Sequence, residues 1–184
     1  MSTKDVVYIA MFAALTAALA AFPALTLPPT GVPITAQSLG PMLAGSVLGW
    51  KRAVASQVLF LALVAAGLPL LAGGRGGFGV FLGPSGGFLV GWILAAFVIG
   101  WTFERYWASL NLATALALVF LGGVAVEYAI GNAWVTIVMD LSYVEATIAS
   151  GRFLPGDILK VVAAATIAMT LRRAYPLMPV PAHA

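Results

Sequence analysis

Residues 156–173 read GDILKVVAAATIAMTLRR, an apolar run with an acid and an amine near its start, Asp157 and Lys160, and two arginines at its end. As a helix, the 17 residues 156–172 cover about 25 Å, close to one hydrocarbon thickness of a bilayer. Such a stretch predicts a membrane-crossing helix, and the rest of the chain shows the same character. Of 184 residues, 62% are hydrophobic and 8% charged, where a soluble domain carries roughly a quarter of its residues as charges. A water-soluble globule and a disordered chain are both excluded. The absence of cysteine excludes disulfides and thiolate chemistry. The basic residues are spread too thinly through apolar sequence to track nucleic-acid phosphates, so the net charge of +3 reads as topology information.

Five further runs approach the length of a span, at 6–22, 36–50, 53–67, 88–103 and 110–131. Six crossings return both termini to one side of the membrane. That side holds Lys4, Lys51, Arg52, Arg105, Arg172 and Arg173, against Arg75 and Arg152 on the other, and the excess predicts cytoplasmic termini. The long connections 23–35, 68–87 and 132–155 then all face outward. The expected fold is all-α, an integral membrane bundle of six transmembrane helices forming one domain over residues 1–184. The first run is too long for a cleaved signal peptide and lacks an A-x-A site before a polar domain.

An ionisable side chain inside a span needs a partner or a function. Asp157 and Lys160 are three apart, hence neighbours on one helix face, and Asp157 follows Pro155 and Gly156 at a helix start that favours a carboxylate. They form either a self-neutralising pair that anchors the helix end or a site facing an outer cavity, where the amine receives a carboxylate. Glu127, about one turn before Gly131, is expected near the outer end of its span, either snorkelling or paired with Arg75 or Arg152. Asp140 and Glu145 read as loop charges.

The glycines between Gly73 and Gly87 match no phosphate-binding motif; they allow close backbone approach to a ligand or a helix, or a plain flexible loop. Pro28 and Pro29, followed by Gly31 and Pro33, form a rigid turn or a lid. Gln37 beyond them offers a donor and an acceptor, to a helix end or to a ligand. In the first run Ala10, Ala14 and Ala18 recur every four residues, as do Ala13, Ala17 and Ala21. Such stripes serve packing inside the bundle or docking of another membrane subunit. The single histidine, His183, lies in the C-terminal tail, which leaves no metal–histidine site and no Ser-His-Asp set, and the sequence contains no Walker motif. The chain binds or moves something, and an enzyme is not expected.

The segments GVPITAQSLGPMLAG (31–45), GLPLLAGGRGGFGVFLGPSGGFLVGW (67–92) and FLPGDILK (153–160), with the pair Gly131 and Trp134, together resemble the BioY family. Its members are the biotin-specific substrate-binding subunits, or S components, of energy-coupling factor (ECF) transporters. The resemblance implies an outward-facing biotin pocket capped by the outer loops, in a multi-pass protein of the plasma (inner) membrane. It also implies that the first helix docks an ECF transmembrane coupling subunit driven by ABC-type ATPases, through Ala10, Ala13, Ala14, Ala17 and Ala18. Biotin is a ligand here, with no cofactor and no metal; lipid is the other partner and nucleic acid is not one. The implied substrate-binding set is Asp157, Lys160, Gln37, Gly83, Pro84, Ser85, Phe88, Glu127, Tyr128, Trp134 and Phe153. Within it, Asp157 accepts ureido N–H bonds, and Lys160 either meets the biotin carboxylate or orients Asp157. Ser85 and Phe88 stand where the family pattern usually has Thr and often Tyr, so a hydroxyl is kept at one position and lost at the other. A rival reading is a self-sufficient secondary transporter of another small carboxylate or vitamin, with Glu127, Asp157 and Lys160 as a coupling relay.

Overall fold

The computed structural model describes residues 1–26, 31–175, 177 and 178; Pro28, Pro29 and His183 lie outside them. The chain is mostly helical: α1 (Thr3–Ala18), α2 (Leu39–Leu48), α3 (Trp50–Ala65), α4 (Gly79–Leu82), α5 (Gly86–Arg105), α6 (Leu112–Phe120), α7 (Glu127–Met139), α8 (Tyr143–Ser150) and α9 (Leu154–Ala174). A small antiparallel ribbon, pairing Leu25 with Ile34 and Thr26 with Pro33, interrupts an otherwise all-α fold.

Four helical stretches are long and apolar enough to cross a membrane: Thr3–Ala21, Gly86–Arg105, Leu112–Met139 and Leu154–Ala174. The second and third expected spans are shorter helices of 10 and 16 residues. They are joined by Gly49 alone, at φ 79°, where an added Cβ would run into the Glu104 carboxylate. Only glycine takes that backbone angle without strain. Glu104 Oε1 accepts the Trp50 N–H at 3.1 Å and so caps α3, which puts Lys51 and Arg52 in a helical turn rather than in a loop.

Helix α5 is the centre of the bundle. Two thirds of its apolar window is buried, against a third or less in the other three spans, and it packs on α2, α3 and α7. From Gly40 to Leu48 every residue of α2 is buried, which explains how so short a helix is held: its whole circumference is apolar core.

The fifth span departs most from expectation. A π-helical stretch, Leu121–Val126, joins α6 to α7 in one continuous run ending at Met139, so residues 132–139 are helix and not outer loop. Its polarity is absorbed from outside: Ser150 Oγ donates to Asn132 Oδ1 at 2.5 Å, and Asn132 Nδ2 donates to Thr147 Oγ1 at 3.3 Å. Both partners belong to α8, itself started by the Ser142–Glu145 capping box. Glu127 therefore sits mid-helix, 5% exposed, and neither snorkels nor pairs with Arg75.

At the end opposite Asp157, Arg52 pairs with Asp5 at 2.6 Å, and Arg172 donates to the Leu110 and Trp107 carbonyls at 2.7 and 2.5 Å. Of the alanines in α1, Ala13 is buried against the Phe60–Trp92 cluster and Ala17 packs at its margin, whereas Ala10, Ala14 and Ala18 are exposed. The expected docking set is thus split, because Ala13 belongs to the interior.

Candidate functional site

Pro155 within the first turn starts α9, and the turn carries Asp157 with its carboxylate toward the bundle. Lys160 Nζ lies 2.7 Å from Asp157 Oδ1 and donates to Ser38 Oγ at 3.0 Å; Ser38 Oγ in turn donates to Oδ1 at 3.3 Å. The Tyr128 hydroxyl donates to Oδ2 at 2.5 Å. Asp157, 5% exposed, is thus held by groups from α7, α9 and Ser38, the residue just before α2. Each carboxylate oxygen has two acceptor directions, so Oδ2 retains one for a further donor.

These groups lie on the wall of a pocket that is open to solvent. Its apolar wall includes Phe88, Tyr128 and Phe153, whose rings meet edge to face with centroids 6.0 to 6.3 Å apart. Such contacts fix ring positions beyond what burial alone does. Also on the wall, Arg75 Nε donates to Ala72 O at 3.2 Å and Nη1 to Ser85 Oγ at 3.5 Å. No ion pair to Arg75 occurs among the described residues. Partial burial lowers its guanidinium from the ordinary value, yet an arginine remains charged.

Eight of the eleven sequence-derived site residues line this cavity: Asp157, Lys160, Gln37, Ser85, Phe88, Glu127, Tyr128 and Phe153. Gly83, Pro84 and Trp134 do not. Trp134 Nε1 donates to the Gly83 carbonyl at 2.9 Å, which pins the turn ahead of α5. A Cβ on Gly87 would overlap Trp134, so that glycine lets α5 and α7 close together. Gln37 is spent as a brace: Nε2 donates to Thr16 O and Leu70 O, each at 3.0 Å, and Oε1 accepts the Ala72 N–H at 2.8 Å.

Sequence reasoning missed Ser38, Val32, Leu71 and Trp92, and left Arg75 without a role. Trp92 was within reach, since it lies one helical turn after Phe88 on the same face. Ser38 was not; its partners are 119 and 122 residues away.

A sequence model of the BioY family matches residues 1–177. The chain belongs to the BioY family. Similar BioY proteins include one of Rhizobium etli described as biotin transporter BioY, 43% identical over 97% of this chain and 98% of its own. Another of that description, from Rhodobacter capsulatus, is 44% identical over 94% and 95%. A probable biotin transporter BioY of Bacillus subtilis is 43% identical over 94% and 92%. The fold is similar to a crystal structure of the S-component for biotin from an ECF-type ABC transporter, with a TM-score of 0.89, 34% identity, and 94% and 95% of the two chains covered. For a BioY chain, the cavity at the head of α9 is therefore the candidate ligand site.

Proposed function

We propose that the chain is a biotin-binding S component: one substrate-binding domain of six membrane crossings in the plasma membrane, termini inside, with the cavity open outward. It binds biotin there and hands it inward with an ECF coupling subunit and ABC-type ATPases. The relatives' descriptions and the similarity to a biotin S-component support this reading, and so does the asymmetry of basic residues. The exposed stripe of Ala10, Ala14 and Ala18 is the proposed docking face.

The observation that carries the ligand assignment is the buried Asp157, held by Lys160, Ser38 and Tyr128 with acceptor capacity left over on the cavity wall. Biotin offers a ureido group with N–H donors, an apolar thioether ring and a carboxylate tail. Asp157 takes a ureido N–H, and the Phe88, Tyr128 and Phe153 rings cover the bicycle. Because Lys160 already serves Asp157 and Ser38, the tail carboxylate goes to Arg75, a part-buried cation with N–H groups to spare. Equilibrium binding of labelled biotin to detergent-purified protein, with other vitamins as competitors, tests the reading. The parent binds biotin selectively and Asp157→Asn weakens binding; equal affinity in the Asn variant would remove Asp157 from the site.

A further inference from the structure

Glu127 is the second carboxyl group on the cavity wall. Its Oε1 accepts the Trp92 indole N–H at 3.0 Å, while Oε2 is buried with no hydrogen-bond partner. Among the described residues the other buried side-chain atom in that condition is Gln57 Oε1, and Gln57 is not on the wall of this cavity. A buried acceptor left unmet is costly, so native structures rarely keep one without a role. The donors nearest in chemistry are committed elsewhere: Lys160 and Tyr128 both serve Asp157. The π-helical stretch Leu121–Val126 ends immediately before Glu127, and such turns recur at functional sites.

We infer that Glu127 Oε2 accepts the second N–H of the ligand's ureido head, the first going to Asp157. The cavity wall thus reads a cyclic urea by two carboxylates. This rests on the proposed biotin reading and adds to it the residue that distinguishes a urea from a ring with a single N–H. Trp92 sets the geometry: its indole is a donor only, so Oε1 is pinned and Oε2 is the free acceptor.

That pinning makes Glu127→Gln a decisive variant. Its amide oxygen faces Trp92, and an NH2 donor then replaces the acceptor that the ligand N–H needs. Calorimetry on the detergent-purified chain is expected to show biotin bound about 10- to 100-fold more weakly by Glu127→Gln, the cost of losing one buried hydrogen bond and leaving two donors facing each other. Elution and melting temperature stay those of the parent. Biotin methylated at one or the other urea nitrogen gives a second readout that needs no variant: the parent loses affinity for both analogues, and Glu127→Gln produces no further loss for the one whose blocked nitrogen faced Glu127. A parent that binds one methylated analogue as tightly as biotin overturns the inference, as does a Glu127→Gln chain that binds biotin like the parent. A parent that binds no biotin overturns the proposed function itself.

Discussion

The Tyr128 hydroxyl donates to Asp157 Oδ2 at 2.5 Å and so ties α7 to the first turn of α9 on the cavity wall. Tyr128→Phe removes that donor and leaves the edge-to-face contacts with Phe88 and Phe153 in place. Biotin affinity is expected to fall roughly tenfold, the equivalent of about 1.4 kcal/mol for a hydrogen bond to a charged group. Calorimetry reads this directly, and an unchanged affinity would mean that the bond does not order Asp157 for ligand.

Lys160 and Asp157 form a buried pair with side chains 14% and 6% exposed. Removing one partner strands the other, at a cost of about 3–5 kcal/mol, whereas replacing both by apolar groups is close to neutral. Lys160→Ala is therefore expected to lower the melting temperature in detergent sharply. The double change Lys160→Met with Asp157→Leu restores it, while biotin binding stays lost in both. Equal melting temperatures for the single and double variants would contradict the pair's assigned energetics.

The two alanine stripes of α1 give opposite expectations. Ala14 is exposed and Ala13 is buried, so a bulky side chain meets a partner surface at one and the protein's own core at the other. Ala14→Trp is expected to abolish recovery of a coupling subunit and ATPases in a pull-down while leaving biotin binding intact. Ala13→Trp destabilises the fold instead. Retained complex with Ala14→Trp would remove this stripe as the docking face.

Glu145 closes the cap of α8, where its carboxylate accepts the Ser142 hydroxyl at 2.6 Å and the Ser142 N–H at 2.9 Å. These bonds hold its carboxyl below the usual carboxylate value. A lowered folded value stabilises the cap above the unfolded value, and the contribution is lost as pH falls through the lowered one. Hydrogen exchange at the α8 amides should accelerate at that acid step, and Glu145→Gln should flatten the profile. A parent profile without the step would show that the cap does not depend on the charge.

Much of the bundle was legible because hydropathy is a local property. The runs at 88–103 and 156–173 appear as α5 and α9 with small changes of boundary, and Asp157 and Lys160, neighbours on one helix face by their spacing, are paired. The break after Gly131 came from the greater polarity of residues 132–155, which begins at Asn132. Its partners Ser150 and Thr147 lie 18 and 15 residues on, so nothing local announced that the helix would continue to Met139. For the same reason Glu127 was expected at a membrane interface and lies instead against Trp92 in the interior.

Composition and the periodic run of apolar residues were enough, by themselves, to determine a helical membrane protein with an acid and an amine at the head of its last helix. Which polar atoms are consumed by the scaffold and which remain for a ligand was decided only by packing. Gln37 spends its amide on Thr16, Leu70 and Ala72, Lys160 is turned to Ser38, and one oxygen of Glu127 is left over. Hydrogen bonds are short-ranged in space but indifferent to distance along the chain, so their allocation exists only once the helices have met.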